Sequence, residues 1–150
     1  MSTAAADRNT SGLEFLQRIV AGEIPGVPIG DTLGFRLLEA EKGRVVLVGQ
    51  PDARSYNLIG TVHGGWGAAI LDTALALSTL SSLEADQGFT TIDIRVNYLR
   101  PLSTQTGEVR AEGRVLQAGR RLAYGEATLT DRDGRLVCHG TGSCLILPRS

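Results

Sequence analysis

The sequence predicts an α+β domain in which an antiparallel sheet of five or six strands wraps around one long central helix, with a short helix ahead of it. Three observations carry that prediction. Residues 65–83 are apolar almost all round, through Ala68, Ala69, Ile70, Leu71, Ala74, Leu75, Ala76, Leu77 and Leu80, and a helix apolar on every side is a buried one. The chain beyond it reads as successive strands with period-two alternation and hairpin turns. Glycine is the compositional outlier, at 19 of 150 residues against an ordinary share of about 7%. Such a backbone turns often or comes close to something.

Taken in order, residues 1–10 are small and polar and are expected to be disordered. Residues 11–150 then make a single domain of ordinary size. Ser11 is placed to cap a helix over 12–21 with Leu13, Leu16, Ile19 and Val20 on one face, ended by Gly22. Residues 22–30 hold Pro25 and Pro28 and are expected to be loop. Strands follow over 35–39 and 44–49, joined by a turn at Glu41-Lys42-Gly43, and 51–61 is irregular. After the central helix, 91–99 alternates Ile92, Ile94, Val96 and Tyr98 against Asp93, Arg95 and Asn97. Residues 108–116 alternate Val109, Ala111 and Val115 against Glu108, Arg110, Glu112 and Arg114. Strands over 122–130 and 136–147 are joined by the hairpin signal Asp131-Arg132-Asp133-Gly134. A sheet wrapped round one helix leaves its other face in need of cover, so an oligomer is expected.

Composition excludes several classes. Fifteen basic against sixteen acidic residues give a net charge of -1, and aromatics are 5%. This is neither a nucleic-acid footprint nor a polybasic membrane patch. The longest low-charge run, 60–83, is interrupted by Asp72 and rich in Gly, Ser and Thr, so it is not read as a membrane span. The first ten residues hold no apolar stretch of the signal-peptide kind. Cys138 and Cys144 lie six residues apart in one predicted strand, about 20 Å and outside disulfide reach, which suits a reducing, cytoplasmic compartment. Cys138-His139 is not read as a metal site, because adjacent strand residues face opposite sides and no CxxC occurs. Neither a G-x-S-x-G elbow nor a Walker phosphate loop is present.

Asp72 is the sole carboxylate within 60–83. A lone acid on a buried helix is costly unless it is paired or used. It either touches a buried Arg or a backbone N–H, or it is a catalytic carboxylate. Upstream, Gly64 and Gly65 follow His63 and open the helix. A helix N-terminus presents unpaired N–H groups, and glycine there lets a ligand oxygen approach, which is an oxyanion-hole geometry. The alternative is that the pair merely permits a tight turn. Gly64 and Asp72 are eight residues apart, about 12 Å along one helix axis at 1.5 Å per residue. One reacting carbonyl cannot touch both. If both act on it, the acid comes from a second subunit, with the two helices antiparallel across a two-fold axis.

Asn57-x5-His63-Gly64-Gly65-x6-Asp72, followed by Thr91-Ile92-Asp93-Ile94-Arg95-Val96-Asn97-Tyr98-Leu99-Arg100-Pro101, resembles the hotdog-fold acyl-CoA thioesterases over about residues 29–147. The nearest branch is the phenylacetate-degradation, PaaI-like one, with 4-hydroxybenzoyl-CoA thioesterases alongside. The resemblance implies a hotdog fold, a homodimer that completes the site, usually a homotetramer, and hydrolysis of a coenzyme A thioester without metal. Coenzyme A is then part of the substrate and not a cofactor. Asp72 matches the family carboxylate, acting as nucleophile or as general base on water. The Gly64 N–H matches the group that polarises the thioester carbonyl, with Gly65 beside it. Asn57 matches an amide that holds the thioester or the attacking water. Thr91, or Thr90 with a one-residue slip, matches a hydroxyl that orients that water. His63 matches the motif histidine and is read as setting the loop.

Ala76 stands where some relatives carry Thr, so any role of that hydroxyl is lost or passes to Thr73 or Thr91. Arg100 matches an arginine near the nucleotide, and Arg120 and Arg121 sit on a predicted loop with donors for phosphate. Trp66, Ile70 and the loop at 25–28 are candidates for the acyl pocket, with Trp66 equally suited to a dimer core. The implied substrate carries an aryl or short-to-medium acyl group. Two other functions compete. A hotdog hydratase or dehydratase needs an Asp five positions before a His, whereas Leu58 and Gly134 occupy those positions before His63 and His139. A non-catalytic acyl-CoA sensor would carry a DNA-binding domain, and no helix-turn-helix pattern precedes the fold.

Overall fold

The computed structural model describes residues 9–149, so most of the disorder expected over 1–10 falls outside the described residues. Helix α1 (Gly12–Val20) begins with a capping box: Ser11 Oγ accepts from the Glu14 N–H, and the Glu14 carboxylate accepts from the Ser11 N–H. Its start is docked on the far end of the central helix. The Gly12 N–H donates to Leu83 O at 3.0 Å, and a Cβ on Gly12 would lie 1.8 Å from Leu80 O. Residues 22–30 are not loop throughout, because Pro28–Leu33 forms a short helix α2 closed by Gly34 at φ 79. Proline suits the first helical position, where its missing N–H has no partner to lose.

Strands β1 (Phe35–Glu41) and β2 (Arg44–Gly49) are followed by a 3₁₀ turn at Ala53–Ser55 and by the central helix α3 (Gly64–Leu80). Then come β3 (Gln87–Tyr98), β4 (Val109–Ala118), β5 (Leu122–Thr130) and β6 (Leu136–Pro148). The six strands form one antiparallel sheet in the order β1-β2-β4-β5-β6-β3, so β1 and β3 are its edges. This is the six-stranded hotdog arrangement, a sheet curled round one helix. Strand β3 starts four residues earlier than its alternation suggests, because its pairing with β6 continues back to Gln87 opposite Pro148.

The curl needs close approach between helix and sheet. A Cβ on Gly113 of β4 would lie 2.1 Å from Ala74 O, which no side chain can tolerate. The core between them holds Leu47, Ile70, Leu71, Ala111 and Leu129, all with no exposed surface. The helix is not covered on every side, however. Trp66, Gly67, Ile70, Leu71, Ala74 and Leu75 are buried, while Gly65 is exposed and Ala68, Ala69, Asp72, Thr73 and Ala76 are half-buried. These last six lie at i, i+3, i+4, i+7 spacing and form one stripe. Among the described residues no helix is long and apolar enough to cross a membrane.

Candidate active site

The chain enters α3 through a loop held by Asn57. Its Oδ1 accepts from the Ile59 and Thr61 N–H groups at 3.0 and 3.2 Å, and its Nδ2 donates to Thr61 Oγ1 at 2.9 Å. This is an Asx-type clamp, and it engages most of the amide that the family motif assigns to substrate or water. At the tip Leu58 and Ile59 stand 106% and 85% exposed. The His63 N–H donates to Ser55 O at 2.7 Å. Its ring Nδ1 accepts from the Gly65 N–H at 2.8 Å, capping the helix and putting the ring proton on Nε2. The two glycines are therefore not equivalent: Gly65 has spent its N–H on the cap, whereas the Gly64 N–H has no acceptor among the described residues.

Gly64 lies in the wall of a hollow of about 310 Å³, with Val62, His63, Gly67, Tyr98 and Cys138 among its lining. Nothing in the sequence marks Tyr98 as a site residue, although it ends the inward series Ile94, Val96, Tyr98. Its hydroxyl donates to Gly64 O at 2.6 Å, and its ring leaves a Cβ on Gly64 only 3.1 Å of space. Burial, with the nearby Cys138 thiol, raises the Tyr98 phenol, so it remains a donor at neutral pH. Burial pushes the Cys138 thiol up to about 11, which keeps it protonated and poorly nucleophilic.

Asp72 sits half-buried in the middle of α3. Its partner is neither an arginine nor a backbone N–H. Thr91 Oγ1 donates to Asp72 Oδ1 at 2.9 Å, and Asp72 Oδ2 has no donor among the described residues. Thr91 faces inward because of a bulge. The register of β3 on β6 runs Thr91↔Cys144 and then Asp93↔Ser143, leaving Ile92 unpaired and 55% exposed. Thr90 is exposed. Thr73, the other hydroxyl near Ala76, has its proton engaged: its Oγ1 donates back to Ala69 O at 2.8 Å.

Other expected residues lie elsewhere. Trp66 is 3% exposed, donates from Nε1 to Leu33 O at 2.7 Å and meets Phe35 edge-on at 6.4 Å. It packs in the core of its own protomer and does not line the hollow at Gly64. Ile70 is likewise fully buried. Arg100 lines the hollow at the N-terminal end of α3. Arg120 and Arg121 are exposed at the β4–β5 turn, whose neighbour Gly119 shares a small hollow with Thr79 and Ser82 at the opposite end of α3. One protomer therefore does not bring these arginines together.

The family model described as Thioesterase superfamily matches residues 59–138. A 1,4-dihydroxy-2-naphthoyl-CoA hydrolase from Listeria monocytogenes is 26% identical over 108 residues, 72% of this chain and 86% of its own. Acyl-coenzyme A thioesterase 13 from Homo sapiens is 30% identical over 108 residues, 69% of this chain and 74% of its own. Among solved structures, a point variant of the phenylacetic acid degradation protein PaaI from Thermus thermophilus superposes with a TM-score of 0.72 at 29% identity. That superposition covers 79% of this chain and 98% of the other.

Proposed function

This chain belongs to the thioesterase superfamily, and from that premise we propose that it hydrolyses the thioester of an aryl or short-to-medium-chain acyl-CoA. The observation that carries the reading is the state of Asp72: a half-buried carboxylate that, among the described residues, pairs with no cation and is steadied at one oxygen by Thr91 while the other has no donor. A carboxylate kept so is suited to attack a carbonyl carbon or to take a proton from water.

The second half of the chemistry is the Gly64 N–H, which opens on an apolar hollow at the positive end of a helix. Because Asp72 lies about 12 Å further along the same axis, the acid that serves this N–H is the partner subunit's Asp72. The incompletely buried stripe from Gly65 to Ala76 carries Asp72 and otherwise only small residues and Thr73. It supports an antiparallel approach of the partner's helix, giving two equivalent sites per dimer. A tetramer of two such dimers accords with the family resemblance. With the Gly64 N–H polarising the thioester oxygen, the partner subunit's Asp72 either attacks to form a mixed anhydride, later hydrolysed, or deprotonates an attacking water. Coenzyme A leaves as the thiol in both routes.

The test is release of free thiol from a panel of acyl-CoA esters, including phenylacetyl-CoA and benzoyl-CoA, by wild type and Asp72→Asn. Turnover of at least one ester, with a loss of about 100-fold or more in kcat in the variant, is expected for removal of an acid–base or nucleophilic group. Wild-type turnover by Asp72→Asn overturns the mechanism. Tight binding of the esters with no turnover by the wild type overturns the enzyme in favour of a sensor.

A further inference from the structure

The peptide that joins Gly64 to Gly65 is gripped at both ends by side chains. Its carbonyl, Gly64 O, accepts from the Tyr98 hydroxyl at 2.6 Å, and its N–H, on Gly65, donates to His63 Nδ1 at 2.8 Å. The preceding peptide, His63 to Gly64, is held at its carbonyl, where His63 O accepts from the Trp66 N–H at 3.0 Å. Its N–H, on Gly64, is the end left over. The two peptide planes meet at the Gly64 Cα, so the angle between them sets where that N–H points. Glycine leaves both dihedrals at that atom free, and two glycines in succession open α3 on residues that favour helix little. Fixing the second plane therefore steadies the N–H on the first.

Tyr98 reaches this peptide from a firm base. It ends β3 opposite Cys138, and just beyond it the Leu99 and Arg100 N–H groups donate to Val137 O at 2.8 and 3.1 Å. Its ring lies against the first turn of α3 where side chains are missing. A Cβ on Gly64 would lie 3.1 Å from Tyr98 Cζ, and one on Gly67 3.5 Å from Tyr98 Cε1. A backbone carbonyl has two lone pairs, so the hydroxyl adds to the hydrogen bonding of the helix and does not displace it. Phenylalanine would fill the same space with no grip on the peptide.

We infer that Tyr98, acting with His63 on the peptide between the two glycines, is a positioning residue that aims the Gly64 N–H at the thioester oxygen. This rests on the thioesterase reading above and deepens it with a residue of the edge strand. The phenolic proton is committed to Gly64 O, so Tyr98 acts on the reaction through that peptide. A donor aimed where charge develops stabilises the transition state more than the bound ester. Loss of aim therefore lowers kcat and leaves KM in place.

Tyr98→Phe removes the hydroxyl and keeps the ring, and two measurements on the full chain read the result. The first is kcat and KM for the acyl-CoA ester that the wild type turns over fastest. The second is amide hydrogen exchange in protein carrying isotope-labelled glycine, with the Gly65 signal identified by its loss in Gly65→Ala. The expected result is a kcat lowered about fivefold, the worth of one neutral hydrogen bond, at an unchanged KM. Exchange at Gly65 quickens by a similar factor, while Gly113 and Gly125, buried in the sheet, exchange as in the wild type. An unchanged kcat, a raised KM with kcat intact, unchanged exchange at Gly65, or faster exchange at all three glycines overturns the proposal. The last of these would mark general loosening, and a raised KM direct contact with substrate. The exchange readout needs no turnover, so the two readings fail separately. Faster exchange confined to Gly65 in a protein that hydrolyses no ester overturns the thioesterase and leaves the clamp. Hydrolysis at a kcat that Tyr98→Phe does not lower overturns the clamp and leaves the thioesterase.

Discussion

Thr91 Oγ1 donates to Asp72 Oδ1 across 2.9 Å, tying the edge strand β3 to the middle of the central helix. The contact exists because Ile92 is bulged out of the β3–β6 register. Without that bulge, alternation would set Thr91 on the face of Asp93 and Arg95, away from the helix.

Thr91 is therefore a positioning residue for the carboxylate. Thr91→Val removes the donor and leaves Asp72 unanchored, and kcat for a turned-over acyl-CoA should fall about tenfold with little change in KM. Thr91→Ser keeps the hydroxyl and should restore most of the rate. Equal rates for Val and Ser variants would show that the hydroxyl does not act through Asp72.

The placement of Trp66 in its own protomer's core gives a contrasting expectation. Trp66→Phe keeps most of the apolar contact but leaves Leu33 O without its donor. Urea unfolding should register a loss of about 1–2 kcal/mol, while KM across an acyl-CoA panel stays at the wild-type values. A changed acyl preference with unchanged stability would place Trp66 in the acyl pocket instead.

Stability should fall in alkali for a reason located at Cys138. Its thiol ionises at about 11 in the folded chain, against 9.0 ordinarily. Between those values the unfolded chain has lost the proton and the folded chain keeps it. Fewer protons on the unfolded side make stability drop as pH rises from about 9 through about 11. Below about pH 9 the contribution is fully present. Thermal melts of wild type and Cys138→Ala over about pH 8–11 should diverge in slope across that window, the variant falling less steeply. Parallel slopes would mean that the thiol is not held neutral by burial.

Much of this was legible in the sequence, and what was not has physical reasons. The central helix, the two C-terminal hairpin strands and the Gly64/Asp72 separation follow from patterns a few residues long. Helix α2 is not legible in the sequence because Pro28, at its first position, reads equally as loop punctuation. The orientation of Trp66 was open because a helix apolar on all sides has no periodicity to say which face meets its own sheet. The Ile92 bulge is a property of pairing with β6, and alternation within 91–99 carries no trace of it. Arg100 and Arg132 are far apart in sequence and line one hollow because β3 pairs with β6.

The two-subunit site can be tested by separating its halves. Gly64→Pro deletes the free N–H at a helix N1 position, where proline is tolerated and where His63, at φ -60 and ψ 138, already has the extended backbone that precedes proline. Gly64→Ala, which adds a similar Cβ against Tyr98 but keeps the N–H, controls for crowding. The decisive measurement is thiol release by a purified heterodimer, isolated by two different tags, of one Asp72→Asn protomer and one Gly64→Pro protomer. If Gly64 of one chain works with the partner subunit's Asp72, one of the two sites is intact, and the heterodimer should show about half the wild-type activity although both parental homodimers are inactive. A heterodimer no more active than its parents would contradict the shared site.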